Sequence, residues 1–248
     1  MTKIIGISGR KQSGKNTVAN YINGDILKNM SMLEDFVIDT DGLLKVKTND
    51  THGNNGWGIL DLLRKDETFI SYAERELWPY VKIYHFADPL KELCVDLFGL
   101  NPQNIYGLDQ DKNQLTPFSW NDMPGTIRNP DIDYNIKMTH REFLEYFGTK
   151  IVRAIKPDVW SAYTLNKVKT QHSQLALIPD VRFSNEVEAI HDAGGVVIRL
   201  TRNLWNSNAT AEIALDQYDK FDLIIDNSNC TIEELCSKLN DIKSTWSI

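Results

Sequence analysis

An α/β fold built on a five-stranded parallel sheet is the architecture the sequence predicts, and three observations predict it. Apolar, β-rich runs recur at Lys3–Ile7, Val81–Phe86, Leu175–Ile178, Val196–Leu200 and Leu223–Ile225, separated by stretches of helical periodicity. The intervening helices carry their own start and stop residues. The first strand runs directly into a glycine-bounded turn and a helix, a join that suits an anion held by backbone amides.

Ile4-Ile5-Gly6-Ile7-Ser8 opens the chain as a buried strand, and Gly9 to Thr17 supplies the turn and the helix start. Gly9 and Gly14 let successive N–H groups point inward at an anion while Lys15 neutralises the outer phosphates. The spacing G-x-x-x-x-G-K is the Walker A pattern, and the helical pattern Val18, Ala19, Tyr21, Ile22 follows it. Where that pattern wants Ser or Thr as a magnesium ligand, this chain has Asn16, with the hydroxyl one place on at Thr17.

Further along, Asp88-Pro89 reads as an N-cap and first-turn proline before Leu90–Phe98, with Gly99 closing that helix. Thr139 with Glu142 and Thr231 with Glu234 form capping-box patterns, each opening an apolar-periodic helix. Two stretches fit the sheet poorly and read as insertions. One is 31–80, with Asp41-Gly42 as a hairpin turn and a glycine-asparagine cluster at Gly53–Gly58; the other is 101–138, rich in Asn, Asp and Pro. Their aromatic residues (Trp57, Phe69, Tyr72, Trp78, Phe118, Trp120) argue for packing against the main body or a partner subunit, which leaves a homodimer open.

At 248 residues the chain can bury one sizeable core, or a core with a smaller appended part. A net charge of −7 gives no general attraction to a nucleic acid polymer or an anionic membrane, so phosphate binding must come from local groups. A small nucleotide fits that better than a polymer does. Cys94, Cys230 and Cys236 form no C-x-x-C pair, which argues against a zinc site or a disulfide framework and points to a reducing cytoplasm. No apolar run approaches the roughly 20 residues that span a bilayer, so neither a secretory signal nor an anchor is expected. His52, His85, His140, His172 and His191 show no ligand spacing, and His85 in an apolar strand reads as a packed residue.

The block Pro179-Asp180-Val181-Arg182-Phe183-Ser184-Asn185-Glu186 puts Asp180 at the carboxyl end of a strand and Arg182 and Glu186 just beyond it. Ligands of open parallel sheets bind beyond that end, so all three can face the crevice of the phosphate loop. An aspartate there can hold magnesium directly or through water, and an arginine can grip phosphate with its planar fork. The same three residues would also make an ordinary ion cluster capping the next helix.

Several separated blocks together resemble the phage deoxynucleoside monophosphate kinase family, within the P-loop nucleoside-phosphate kinases. They are Gly9–Thr17, similar to the family's G-x-x-x-S-G-K-D-T form; Phe86-Ala87-Asp88-Pro89-Leu90-Lys91; Arg141 with Phe147-Gly148-Thr149 and Arg153; Pro179–Glu186; and Asp226-Asn227. The resemblance implies a three-layer P-loop kinase fold over 1–248 as a single domain, with insertions near 31–80 and 101–138 and a lid near 202–217. It implies ATP and Mg2+, a deoxynucleoside monophosphate as acceptor, and a cytoplasmic enzyme, in a host cell if the source is a phage.

By the same resemblance Gly9, Lys11, Ser13, Gly14, Lys15, Asn16 and Thr17 would hold ATP, with Arg202 and Asn227 on its far side. Asn16, Thr17 and Asp180 would organise the magnesium ion, directly or through water. Asp88, Lys91, Arg141, Arg153, Arg182 and Glu186 would bind the acceptor, and Lys15, Asp180, Arg182 and Arg141 would act on the transferring group. Arg141 lies in the first turn of its helix, where a cation opposes the dipole unless an anion is near. Arg153 falls twelve residues later, about 120° around a continuous helix, so Gly148 is expected to break the register between them. Asp88 and Lys91 would serve equally as a helix cap and a surface lysine.

The stretch Arg199–Glu212 follows a strand and resembles the mobile lid of such kinases, with Arg202 closing over ATP; Glu212 would hold the lid through an internal ion pair, or serve equally as an exposed helix-start glutamate. Asn227 and Ser228 could read adenine, or form a plain turn. Two other readings stay open. One is another small-molecule P-loop kinase, such as one acting on dephospho-coenzyme A; the other is a non-catalytic nucleotide-binding module.

Overall fold

The structure is a computed structural model that describes residues 2–49, 55–125, 133–204 and 210–247. Parts of the glycine-asparagine cluster (Gly53), of the second insertion (126–132) and of the lid stretch (205–209) lie outside the described residues. The chain divides into two compact units, residues 1–85 with 164–248, and residues 86–163.

The first unit opens with β1 (Lys3–Ser8) and α1 (Lys15–Asn29), then β2 (Asp35–Ile38), β3 (Leu44–Asn49), β4 (Asn55–Ile59), α2 (Glu67–Glu76) and β5 (Val81–Ile83). The second holds α3 (Asp88–Asp96), α4 (Pro102–Tyr106), α5 (Asp109–Lys112), β6 (Leu115–Ser119), β7 (Lys137–Thr139), α6 (His140–Glu145), a π-helical stretch (Tyr146–Val152) and α7 (Arg153–Ile155). α8 (Val159–Gln171) leads back to the first unit, which ends with β8 (Leu175–Val181), α9 (Ser184–Asp192), β9 (Val196–Leu200), α10 (Thr210–Ile213), β10 (Leu223–Ile225) and α11 (Ile232–Asp241).

Five parallel strands form the central sheet in the order β10-β9-β1-β8-β5, the architecture expected from the apolar runs. β1 is central, paired on both edges, so Ile4, Ile5 and Ile7 are all buried and the strand is continuously apolar instead of alternating. The β1–β8 register slips between Gly6↔Ile178 and Ser8↔Val181. Pro179 falls in that slip, where its missing N–H costs no ladder bond, and Asp180 is carried with it. β5 stops at Ile83, short of the expected Phe86, and His85 lines a cavity described below instead of packing in a strand.

α1 is buried nearly all round, Val18, Ala19 and Tyr21 to Leu27 included, because a second sheet covers it. That sheet, β2-β3-β4, is antiparallel, with Phe36↔Val46 and Lys47↔Trp57 paired, and it comes from the first insertion. Gly24 is where the two meet: a Cβ there would lie 2.5 Å from Phe36 Cδ2 and 2.8 Å from Leu44 Cδ1. The β2–β3 connection turns at Asp41-Gly42 as expected, with Gly42 at φ +79°. The buried Asp25 accepts from Lys243 Nζ at 2.6 Å and Trp246 Nε1 at 3.0 Å, tying the last turn of chain to α1.

The 86–163 unit has its own core of Cys94, Leu100, Ile105, Met138 and Phe143, with Phe98, Phe118 and Phe147 packed around it. Both predicted capping boxes form, at Thr139/Glu142 and, in the first unit, at Thr231/Glu234. Ala87 is the N-cap of α3 in place of Asp88, which occupies the first helical turn. Gly148 lies in the π-helical stretch Tyr146–Val152, whose wider turn shifts the register between Arg141 and Arg153 as expected, and a Cβ at Gly148 would lie 2.5 Å from Leu90 Cδ2. Among the described residues no helix is long and apolar enough to cross a membrane.

Candidate active site

The β1–α1 turn has the backbone of an anion nest. Gln12 (φ +59°) and Gly14 (φ +96°) both have positive φ, the kind of backbone from which loop amides can be turned toward an anion. Gly9 has no room for a side chain: a Cβ would lie 2.3 Å from Ser13 Oγ and 3.2 Å from Leu200 Cβ. Ser13 is fully buried, and its Oγ has no hydrogen-bond partner among the described residues. Lys15 folds over the loop, Nζ donating to the carbonyls of Gly9 (2.8 Å) and Arg10 (2.7 Å).

Burial pushes the Lys15 ammonium down to a pKa of about 8, the positive charges of Arg182 and Arg199 push it the same way, and the carboxylates of Glu212 and Asp180 oppose them. The charges expected beyond the end of β8 are therefore felt at the loop lysine. Arg182 Nη1 donates to Glu212 Oε1 at 2.9 Å, while Glu212 Oε2 accepts from the Lys11 amide at 2.6 Å. Glu186 faces inward, with Oε2 taking the amides of Arg182 (2.7 Å) and Phe183 (3.1 Å) at the start of α9. Its observed contacts are those of a cap that fixes the Arg182 backbone.

On the β9–β10 side, Arg202 is folded onto the turn after β10. Its amide donates to Asn227 Oδ1 (2.9 Å), its Nε to Asn227 O (3.1 Å) and its Nη2 to Cys230 O. Asn227 is fully buried and its Nδ2 donates to Ser13 O at 2.8 Å, so it braces the loop from behind. Ser228 Oγ lies 3.0 Å from Thr201 Oγ1. The residues that sequence reasoning passed over are Arg10, Arg199 and Asp216. Arg10 pairs with Asp216 through Nε (3.3 Å) and Nη2, and Arg199 Nη2 approaches the same carboxylate at 3.5 Å. Arg10 sits within the loop and was a readable signal; Asp216, 206 residues away, was not.

The first insertion reaches the loop helix. A Cβ on Gly42 would lie 2.4 Å from Thr17 Oγ1, and Asn20 Nδ2 donates to Gly42 O at 2.9 Å. Beneath this hairpin lies a cavity of about 170 Å3 lined by Asn16, Thr17, Leu44, Leu60, Asp61 and His85 among others. Asn16 is exposed at its edge.

Four site candidates, Asp88, Lys91, Arg141 and Arg153, belong to the 86–163 unit. Within it Arg141 Nη2 donates to Asp109 Oδ1 at 2.6 Å and its Nε reaches Asn113 Oδ1 at 3.5 Å. Lys91 Nζ lies 3.9 Å from Asp88 Oδ1 and 5.3 Å from the centre of the Tyr106 ring. Arg153 is half-buried at the end of the π-helical stretch.

For magnesium the donor set matters. Among the described residues no group of three or more His, Cys, Asp or Glu could hold a metal ion. The first turn of α1 offers instead the amide oxygen of Asn16 and the hydroxyl of Thr17, and the end of β8 the carboxylate of Asp180, all hard oxygen donors. That set fits an ion that keeps several waters and takes its other ligands from substrate phosphates.

Residues 94–239 match the deoxynucleotide monophosphate kinase family, a span that includes Arg141, Asp180, Arg182 and Asn227 and begins after the phosphate loop. A protein of Acanthamoeba polyphaga mimivirus, provisionally named a deoxynucleotide monophosphate kinase, is 31% identical over 169 residues, covering 62% of this chain and 78% of that protein. With the loop, the β8 end and the family match falling on one chain, it belongs to the deoxynucleotide monophosphate kinase family.

Proposed function

We propose that this protein transfers the terminal phosphoryl group of ATP to a deoxynucleoside 5′-monophosphate, giving the diphosphate, with the whole chain acting as one catalytic domain and its insertions. The observation that carries the reading is the loop itself, with Lys15 folded over positive-φ turns at Gln12 and Gly14 and Arg182 tied through Glu212 to the Lys11 amide. Phosphoryl transfer needs little covalent help, so the protein's task is to align donor and acceptor, stabilise charge on the moving group and exclude water.

In this reading the amides of Gly9 to Thr17 and the Lys15 ammonium grip the β- and γ-phosphates of ATP. Binding would draw Lys15 Nζ off the Gly9 and Arg10 carbonyls. Asn16, Thr17 and Asp180 would hold Mg2+, which when bound neutralises phosphate charge. Arg182 meets the transferring group or the acceptor phosphate, and Arg141, Arg153, Lys91 and Asp88 are the acceptor candidates of the 86–163 unit. The acceptor is already an oxyanion at neutral pH and needs no general base.

The test is a coupled assay of ADP production with each deoxynucleotide, each ribonucleotide and dephospho-coenzyme A. Turnover with deoxynucleoside monophosphates supports the reading. Turnover with dephospho-coenzyme A alone replaces the substrate, and ATP binding without turnover on any acceptor replaces the enzyme with a binding module.

A further inference from the structure

Glu212 holds the place of an anion. Its two carboxylate oxygens satisfy one amide of the phosphate loop and the guanidinium of Arg182, the pair of donors that a phosphoryl group would meet. The carboxylate is not a loose surface group, its side chain being only 12% exposed, and its negative charge acts on Lys15. Four residues on, Asp216 does the same for Arg10 and Arg199. One short segment thus carries two carboxylates into the cluster of cations around the loop.

We infer that Glu212 is a resident counter-anion of the phosphate loop and sets which ligands the loop accepts. It occupies the Lys11 amide and Arg182 until an incoming tail displaces it, and the displacement frees Arg182 for the substrate. An entering ligand must offer more than Glu212 already supplies. A triphosphate does, through the amides of Gly9–Thr17 and Lys15 together. A lone phosphate group offers little beyond the contacts it replaces, so the acceptor monophosphate is kept off the donor site. This rests on the loop being the donor-phosphate site.

Calorimetric titration of the full chain with the non-hydrolysable analogue AMP-PNP, and with inorganic pyrophosphate, tests it in the absence of acceptor. Glu212→Gln is expected to bind both about tenfold more tightly than wild type, the size of one charge-assisted hydrogen bond no longer given up. In steady state the same variant should show a lower KM for ATP, where loss of a merely structural carboxylate would raise it. Should Glu212→Gln fail to fold, Glu212→Asp carries the same expectation, because its shorter arm cannot span the amide and Arg182. Binding that is unchanged or weaker in the variant, while still abolished by Lys15→Ala, overturns the inference and leaves the kinase reading standing. No binding of AMP-PNP to any form overturns both.

Discussion

Asn227 Nδ2 holds the carbonyl of Ser13 at 2.8 Å across 214 residues of chain, and its Oδ1 takes the amide of Arg202 at 2.9 Å. A loop whose amides point inward must turn its carbonyls outward, where they need donors. Asn227 is that donor for Ser13, so the residue after β10 supports the loop from behind.

Replacing Asn227 with Ala leaves the Ser13 carbonyl and the Arg202 amide without their partner in a buried place. A loss of about 1–3 kcal/mol is expected. Urea denaturation measures the loss, and titration with AMP-PNP should show weakened binding in the folded variant. Full nucleotide affinity in Asn227→Ala would mean that the brace is not needed.

Lys15 links phosphate binding to protons. Its pKa is held at about 8, below the unfolded 10.5, first by burial and then by Arg182. Between those values the unfolded chain binds more protons, so this group's contribution to stability rises with pH from about 8 to 10.5, and its penalty is fully present below about 8. An anionic tail reverses the shift, so binding AMP-PNP a little above pH 8 should take up a fraction of a proton. Calorimetry in two buffers of different ionisation enthalpy measures the uptake. Equal uptake by Lys15→Met would assign the proton elsewhere.

Asp180→Asn and Lys15→Ala should act mainly on turnover, lowering kcat by about 100-fold or more, because their interactions strengthen as charge moves in the transition state. Arg182→Ala should raise the acceptor KM as well. Measurement of kcat and both KM values separates these effects, and near wild-type turnover in Asp180→Asn would remove that carboxylate from the chemistry.

Asp25→Ala tests the attachment of the C-terminal turn. Lys243 is 39% exposed and can return to water, so little of the cost comes from its charge. The Trp246 indole N–H is buried and loses its acceptor. That, with the small cavity left, predicts about 2 kcal/mol of destabilisation, read from thermal or urea unfolding, with kcat unchanged.

The five strands of the main sheet were legible because each is a short apolar run with clear punctuation, and the boxes at Thr139 and Thr231 were legible because capping is local chemistry. In the first insertion the hairpin turn at Asp41-Gly42 was legible, but the extent of its strands and the third strand β4 were not; the alternation of Leu44-Lys45-Val46-Lys47 is too short to stand out among turns. Asp88 looked like a cap because Pro follows it, yet the helix starts one residue earlier. Lys15 and Arg182 stand out in the sequence from their place after strands, and Asp180 from its place at the end of one. Which carboxylates neutralise the arginines was not legible, since Glu212 and Asp216 reach Arg182 and Arg10 only through the tertiary fold.

The tip of the β2–β3 hairpin rests on Thr17, with no space for even a methyl group at Gly42. An outlying appendage is therefore wired to the first turn of the helix that follows the Gly9–Gly14 loop. Exchanging this hairpin for that of a relative would not be a modular swap: any graft whose tip is bulkier than glycine would press on Thr17 and shift the first turn of α1, however faithfully the rest of its strands were copied.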